Sequence, residues 1–526
     1  MSESLNKQNG VSGLSTGSLN ASNQTIVRNV LSGYAANLVG MVTGLVVTPI
    51  LLGQLGVSQF GLWVLLGSTV GYTALAEFGL RTTVAKRVAD CLAVDDTERL
   101  ASVVSTACVI FVGVAALILL VTVSLAWNLG NLFQIPQGLL RPAQSCIIVM
   151  GCSQAFAMAA GVQYPILYGA GRLDVLSGIT SVLFALVGLA NAVLVLMGYG
   201  LVALALAAAC STLLGVAAGF WSVRRVVPQV RISFAAVSRR TAFELYRYGL
   251  RNFLISFGGT VSYGADALVL GLLLPVGAVA QYAIASKLVS LVKAIASKPA
   301  DVLMPSHSHA HALDDHARQF ALFRDNVKLS LAFALPVVAS FCVFGDRIVT
   351  AWVGPGHLES FPILVVLALV LLFELPSAAS GAVLIGSEQN QFLVKLILLG
   401  MPVNLGLSIA LTHALGPVGV ALGSLVTVAA NGTFLPWDVC RKLDIPYREY
   451  MRQSILPLVL PLFIVMSLAV VTRPWAGHYG RVGVLAALCG VSAPGWYAFW
   501  RTGLRDDQRR TISTRFRSIG QAPRSN

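Results

Sequence analysis

The residues of this chain that could do chemistry are a few charged side chains inside long apolar stretches. Three lysines, Lys287, Lys293 and Lys298, occur in one stretch, and the carboxylates of Asp266 and Glu374 occur in two others. A charge costs about 2.5–3.5 kcal/mol at the centre of a membrane helix, so charges that persist there usually face a cavity or a partner. Lysine offers a mobile positive charge to an anionic ligand, whereas a carboxylate can carry a coupling proton or sodium ion. The pattern predicts a passage through a membrane that accepts an anion.

The apolar stretch 252–274 carries a row of polar and small residues at helical spacing. Its members are Asn252, Ser256, Gly259, Tyr263 and Asp266. This spacing places them on one narrow face of a helix, which is either a wall of a transport cavity or a stripe packed against another helix. Because tyrosine and aspartate are not small, we favour the cavity and take Asn252, Ser256 and Tyr263 as candidate substrate-binding residues.

Depth in the membrane predicts which charged residues can meet. At 1.5 Å per residue, Lys287 lies about 9 Å and Asp266 about 12 Å below the outer ends of their stretches. An ion pair between them is predicted if their faces turn toward each other, with structural neutralisation as the alternative to a functional role. Lys293 lies deeper, at about 18 Å, close to the level of Glu374 at about 20 Å. Lys298 is nearest the cytoplasm and can extend its ammonium group to the inner headgroups.

A second charged pair lies at the inner end of the apolar stretch 59–79. Glu77 and Arg81 are four residues apart, a spacing that favours a salt bridge on a helix. We interpret the pair as a pinned helix end beside a gate, in preference to a direct contact with substrate.

Four histidines follow the lysine-bearing stretch: His307, His309, His311 and His316. No cysteine or paired carboxylate accompanies them, so a metal site is not predicted and a solvated cytoplasmic loop is the expected setting. The sequence contains no Walker loop, catalytic triad or Cys-x-x-Cys pair. We therefore expect neither catalytic residues nor a cofactor or metal in this chain.

The composition indicates that a membrane is the solvent of these elements. Of the 526 residues, 56% are hydrophobic and 11% are charged, whereas charged residues make up about a quarter of a typical soluble protein. An apolar run of about 20 residues can cross the bilayer as a helix. We predict an all-α polytopic membrane protein of about fourteen transmembrane helices. They lie near 29–52, 59–79, 101–126, 144–168, 175–197, 201–222, 252–274, 281–303, 329–349, 361–386, 396–414, 419–437, 455–472 and 482–500.

The positions of arginine and lysine predict the orientation of these helices, because short loops rich in both stay in the cytoplasm. Outside the spans, basic residues fall in alternate loops, and the exceptions are Arg141, Arg347, Arg473 and Arg481. Both ends are thus predicted to be cytoplasmic, with a disordered leader over 1–27 and a basic tail over 501–526. The net charge of +14 is spread over many loops, which favours topology signals and contacts with anionic lipid over nucleic-acid binding.

The first twelve predicted spans read as two copies of one six-helix unit. Four matches recur at a nearly constant displacement: Arg28-Asn29 with Arg251-Asn252, Gln59-Phe60 with Gln281-Tyr282, Leu167-Tyr168-Gly169 with Leu384-Ile385-Gly386, and Val202-Ala203-Leu204 with Val420-Ala421-Leu422. Because six is even, both copies enter from the same side, and such pseudo-symmetric bundles enclose a cleft. The predicted domains are the bundles 28–223 and 252–440, a basic linker over 224–251, and two additional helices within 455–500.

Residues 28–90 carry a more specific signature. Phe60-Gly61-Leu62-Trp63, then Glu77-Phe78-Gly79-Leu80, and then Arg81 and Lys86-Arg87 closely resemble the opening of polysaccharide biosynthesis proteins. These are the O-antigen and exopolysaccharide flippases, which are related to MATE drug antiporters and to the lipid II flippase. The resemblance covers the duplicated core, and two extra helices are common in the family.

The resemblance implies a carrier in the bacterial inner membrane that moves a polyprenyl-pyrophosphate-linked oligosaccharide between leaflets by alternating access. A pyrophosphate needs cations in a passage of low dielectric constant, so Lys293 is the first candidate contact, followed by Lys287 and Lys298. The lipid-linked oligosaccharide and the bilayer are the implied partners, together with a polysaccharide polymerase and assembly proteins.

Two other functions compete with this carrier. A MATE-type exporter coupled to protons or sodium shares the architecture, but it would favour acidic residues over the three lysines. A membrane polysaccharide polymerase or glycosyltransferase would place catalytic residues in its outer loops. The predicted outer loop from Gly53 to Ser58 contains no acid, and the longest one, over 127–143, contains no acid, histidine or cysteine. An enzyme is therefore disfavoured.

Overall fold

A computed structural model describes residues 16–77, 79–247, 265–476, 480–499 and 501. Helices dominate these residues, and no strand occurs among them. The α-helices are α1 (Thr16–Tyr72), α2 (Leu80–Ala93), α3 (Thr97–Leu132), α4 (Gln137–Ala159), α5 (Gln163–Gly169), α6 (Leu173–Leu196), α7 (Leu201–Val226), α8 (Asp266–Leu273), α9 (Val276–Ala296), α10 (Lys298–Ala312), α11 (His316–Val353), α12 (Ser360–Gly386), α13 (Gln391–Leu415), α14 (Pro417–Lys442), α15 (Tyr447–Tyr450), α16 (Leu456–Ala476) and α17 (Gly480–Ala498).

Ten helices in the described part of the chain are long and apolar enough to cross a membrane, and the bent pair α4 and α5 makes an eleventh candidate. The prediction of about fourteen spans is compatible with this number. Helix α1 contains the first predicted span and the second as far as Tyr72, and most of the predicted span 252–274 lies outside the described residues. The chain is thus an all-α, multi-pass membrane protein.

The predicted loop over 53–58 is a break within α1. Gly56 adopts φ 74° and ψ 171°, which is not helical, while the residues on either side continue as helix. Glycine occupies positive φ without the steric cost that a Cβ would impose. The two apolar segments of α1 therefore turn at one residue, and a separate six-residue loop between them was a wrong expectation.

The described residues divide into two compact units. The first contains the described residues of Met1–Gln54, Val70–Leu129 and Arg141–Leu254. Its apolar core joins α2, α3, α5 and α7 around fully buried residues such as Val84, Phe111 and Leu167. Glycines allow α6 to approach α1 closely, because a Cβ on Gly188 would lie 2.0 Å from Thr43 Cγ2.

The second unit contains Leu55–Thr69, Gly130–Leu140 and the described residues from 265 onward. Helix α12 packs in its interior against α9, α10, α11 and α14, and α16 and α17 pack on α11. Segments 55–69 and 130–140 belong to this unit although the sequence assigned both to the first bundle. The reason is packing at α8 and α9: a Cβ on Gly61 would lie 2.0 Å from Val276 O, and Gln134 Nε2 donates to Leu273 O at 3.4 Å.

Candidate functional site

Helix α9 carries two of the three candidate lysines, Lys287 and Lys293. It begins after Pro275, whose extended backbone (φ −54°, ψ 147°) precedes the first helical residue. Proline there leaves no helical hydrogen bond unmade, because the first N–H groups of a helix have no intrahelical partner. One face of α9 is buried through Tyr282, Ala285, Leu288 and Val292. Lys287 and Lys293 lie beside this buried face and are themselves only partly exposed.

The structure brings Lys293 and Glu374 together as an ion pair. Glu374 lies within α12, two residues before Pro376, which is also inside that helix. The lysine side chain is 42% exposed, whereas the glutamate side chain is 15% exposed. Pairing offsets part of the cost of holding each charge within an apolar helix. The more open member of the pair is the cation, so an anionic ligand can approach the ammonium group from its exposed side.

Asp266 has a different environment, built from neutral hydroxyl and amide groups. Tyr282 donates its phenolic hydrogen to Asp266 Oδ2, and Ser424 Oγ donates to Oδ1 at 3.4 Å. Behind Ser424, Asn404 Nδ2 donates to Ser424 Oγ at 3.3 Å and to Thr427 Oγ1 at 2.9 Å. The cluster therefore connects α8, α9, α13 and α14 around one carboxylate.

The predicted ion pair between Asp266 and Lys287 is wrong. Instead, the Asp266 carboxylate accepts a hydrogen bond from Tyr282, which lies on the same helix as Lys287. No salt bridge joins Asp266 to Lys287 among the described residues. Tyr282 and Lys287 are five residues apart and so lie about 140° apart around α9. Because the face with Tyr282 turns toward α8, Lys287 points away from Asp266.

The remaining candidates in this part of the chain are separated from those two groups. Lys298 begins α10 and pairs with Asp301 at 3.4 Å, a partner with a 69% exposed side chain. Asn252, Ser256 and Tyr263 lie outside the described residues, so their predicted place on a cavity wall stays a prediction.

The expectation of a loop around the four histidines is wrong, and the expected solvation holds for the exposed His309 but not for His307. His307, His309 and His311 lie on helix α10, and His307 is fully buried. Helix α10 packs closely on α12, since a Cβ on Gly386 would lie 3.3 Å from His307 Cβ. In the first unit, a Cβ on Gly169 would likewise lie 3.0 Å from Val88 Cβ of α2. The repeat thus places His307 where the first copy has a buried valine.

In the first unit, Glu77 and Arg81 form the predicted salt bridge at 2.9 Å. The Arg81 guanidinium also lies over the ring of Tyr164, 5.7 Å from its centroid. Glu77 ends a 3₁₀ turn and Arg81 lies in the first turn of α2, so the pair bridges the break between these elements.

Sequence reasoning did not single out Tyr282, Ser424 and Thr427 as parts of a polar site. Two signals were available. Gln281-Tyr282 recurs as the partner of Gln59-Phe60, with a hydroxyl added to the aromatic ring, and Ser424 and Thr427 have the three-residue spacing of one helix face. Neither signal states what the hydroxyl groups face, because that depends on helix rotation.

Comparisons with known proteins agree on this architecture. The lipid II flippase MurJ in an inward closed conformation is 14% identical with a TM-score of 0.66, covering 90% of this chain and 99% of that one. An inward-facing multidrug resistance MATE family transporter of the MOP superfamily is 16% identical with a TM-score of 0.63, covering 82% of this chain and 99% of that one. At these identities the likeness establishes the fold.

Sequence comparison identifies the family. The uncharacterized membrane protein EpsK of Bacillus subtilis (strain 168) is 23% identical over 446 residues, which cover 83% of this chain and 87% of EpsK. The family model described as polysaccharide biosynthesis protein matches residues 26–311, more than half of the chain. With the flippase-like fold and the charged groups inside its helices, this match shows that the chain belongs to the polysaccharide biosynthesis protein family of membrane transporters.

Proposed function

We propose that this protein moves a polyprenyl-diphosphate-linked oligosaccharide, an O-antigen or exopolysaccharide repeat unit, across the bacterial inner membrane by alternating access. In this proposal both ends of the chain are cytoplasmic and the protein catalyses no chemical change. A polysaccharide polymerase and assembly proteins would take over the unit in the outer leaflet.

The ion pair of Lys293 with Glu374 is the observation that carries the proposal. A diphosphate is a strong hydrogen-bond acceptor that loses water when it enters an apolar passage, and an ammonium group replaces part of that hydration. Lysine binds phosphate as a mobile point charge, which suits a ligand that must also leave. Glu374 neutralises Lys293 when no substrate is bound and can compete with the diphosphate at release.

The sign of the charge separates this carrier from an exporter of cationic drugs. Three lysines lie within or directly after the apolar helix α9, and Lys293 pairs with Glu374 of the neighbouring helix α12. Moving an anion outward, away from a negative cell interior, gains about 2.3 kcal/mol per charge per 100 mV. The membrane potential therefore favours export of an anionic headgroup.

Asp266 suits a second role, that of the group carrying a coupling proton or sodium ion. Its described neighbours are hydroxyl and amide groups, which can accompany a carboxylate in either protonation state and can also donate oxygen ligands to a hard cation. Lys293 has already taken Glu374 as its partner. We therefore assign ion coupling to Asp266 and substrate contact to Lys293.

The experiment replaces Lys293 in cells whose surface glycan depends on this protein. Lys293→Ala is expected to insert at the normal level, to abolish most surface glycan, and to cause lipid-linked oligosaccharide to accumulate in the inner leaflet. Lys395→Ala is the matched control, because Lys395 is an exposed lysine near the start of helix α13. Normal surface glycan in the Lys293→Ala cells would disprove the assignment.

A double variant separates transport from stability. Lys293→Ala leaves Glu374 without its cation, which can destabilise the helix pair by itself. Lys293→Met combined with Glu374→Gln removes both charges and keeps side chains of similar size. The double variant should be as stable as the wild type and still fail to export glycan. Restored export would mean that the pair is structural only.

A further inference from the structure

The fourth predicted span is broken close to its predicted cytoplasmic end. Helix α4 ends at Ala159, α5 begins at Gln163, and their axes differ by 47°. At the break, a Cβ on Gly161 would lie 2.8 Å from Ala157 O and 3.5 Å from Arg81 Nη2. Non-helical backbone at membrane depth is tolerated where protein buries it or where it lines a water-filled cavity. The break sets α5 against the side chain of Arg81.

Two tyrosines stand on one face of α5 next to this arginine. The rings of Tyr164 and Tyr168 are stacked, with centroids 6.2 Å apart and an interplanar angle of 25°. Tyr164 is 41% exposed and Tyr168 is 47% exposed. The Arg81 guanidinium lies over Tyr164 at 5.7 Å and is held by Glu77 at 2.9 Å. Together Glu77, Arg81, Tyr164 and Tyr168 form a continuous strip, which we call the tyrosine strip.

The chemistry of the tyrosine strip matches a hydroxylated, uncharged ligand. Glu77 and Arg81 cancel in charge, so the strip has no net attraction for phosphate. Arg81 Nε is buried and makes no hydrogen bond to the described residues, and its guanidinium lies over the ring of Tyr164. Aromatic faces bind apolar C–H surfaces, while the phenol groups exchange hydrogen bonds with hydroxyl groups. A sugar ring presents both kinds of surface.

We propose that the tyrosine strip is a carbohydrate subsite that binds the glycan of the lipid-linked substrate on the cytoplasmic side. This inference rests on the proposed function and assigns a sugar contact within the first unit. Tyr164 and Tyr168 touch the sugar, whereas Glu77 and Arg81 are positioning residues that fix the ring of Tyr164. Anchoring of the tyrosines in lipid headgroups is the alternative that the experiment must separate.

Binding of two probes to the full-length protein in nanodiscs tests the subsite. One probe is the lipid-linked glycan that accumulates in cells lacking this protein, and the other is undecaprenyl diphosphate, which carries no sugar. For the double variant Tyr164→Leu and Tyr168→Leu, the affinity for the glycan lipid should fall about tenfold, with the affinity for undecaprenyl diphosphate unchanged. Tyr164→Phe with Tyr168→Phe keeps the rings and should retain most of the affinity. The control is Tyr199→Leu. Tyr199 is also exposed, but it follows the end of α6 that is farther from α5.

Each outcome decides between the two proposals. Equal affinity of the wild type for both probes, or unchanged affinity of the Leu double variant for the glycan lipid, would overturn the subsite and leave the diphosphate carrier standing. Equal losses for both probes would indicate lipid anchoring and would also overturn the subsite. Failure of the wild type to bind either probe would overturn the proposed function itself.

Discussion

Asp266 differs from Glu374 in the kind of partner that its carboxylate has. Glu374 meets the ammonium group of Lys293, whereas Asp266 accepts hydrogen bonds from Tyr282 and Ser424. A carboxylate with neutral partners changes charge when it gains or loses a proton, and no fixed cation compensates for that change. For this reason the proposal assigns the binding of a coupling proton or sodium ion to Asp266 and not to Glu374.

Substituting Asp266 by asparagine should therefore remove coupling without unfolding the protein. The amide oxygen can still accept from Tyr282 and the amide nitrogen can donate to Ser424 Oγ, so we expect the free energy of unfolding to change by less than about 1 kcal/mol. Transport in proteoliposomes should lose its dependence on an imposed proton or sodium gradient. Asp301→Asn is the control, because Asp301 is largely exposed and pairs with Lys298. A variant at Asp266 that still responds to the gradient would exclude this carboxylate from coupling.

Depth could be predicted from the sequence, but helix rotation could not. The rise of 1.5 Å per residue fixes how deep a side chain lies, which is why Lys293 and Glu374 were placed at one level. The partner of Asp266 was predicted wrongly because Tyr282, and not Lys287, occupies the face of α9 that turns toward α8. Rotation depends on packing between helices, which periodicity within one helix does not contain. Composition likewise predicted the fold class, whereas the burial of the single residue His307 within a polar segment was not predicted.

Close packing of α1 on α9 depends on a residue without a side chain. A Cβ on Gly61 would lie 2.0 Å from Val276 O and 3.2 Å from Ala280 N, where the backbone of α9 begins. Backbone atoms cannot rotate away as a side-chain tip can. Gly271 of α8 also lies close to α1, although the atom that its Cβ would meet at 2.5 Å, Leu65 Cδ1, belongs to a side chain. Small residues allow such close approaches between membrane helices.

Gly61→Ala should destabilise the protein by about 1–3 kcal/mol, because the added methyl group forces α1 and α9 apart. Gly53→Ala is the matched control in the same helix, since no atom lies within 4 Å of its Cβ position. An alanine there should be neutral or stabilising by up to about 1 kcal/mol, because alanine favours the helix more than glycine does. Denaturant unfolding in mild detergent measures both variants. Equal stability of the two would show that α1 does not pack on α9 at Gly61.

The two helices outside the internal repeat are attached to α11 at several points along its length. Just before α16, Gln453 Oε1 accepts from Arg324 Nη1 at 3.1 Å, and Arg473 of α16 pairs with Asp346 at 3.1 Å near the other end of α11. Between them, the ring of Trp496 stacks on Phe333 with centroids 5.6 Å apart. The absence of a repeat partner for these helices was evident from the sequence, but their attachment to α11 was not.

Removing α16 and α17 should therefore destabilise the whole protein. Lipid can replace the apolar contacts of the lost helices, but the truncated chain lacks Gln453, the partner of Arg324 Nη1, and Arg473, the cation beside Asp346. A chain truncated after residue 446 should reach a membrane level several-fold below the wild type. Truncation after residue 501 keeps both helices and should leave the level unchanged, which controls for loss of the basic tail. Quantitative immunoblotting of membranes, with unfolding in detergent, gives both values. If the shorter chain accumulates and unfolds like the longer one, α11 and the repeat fold without the last two helices, and the contacts at Arg324 and Asp346 are dispensable.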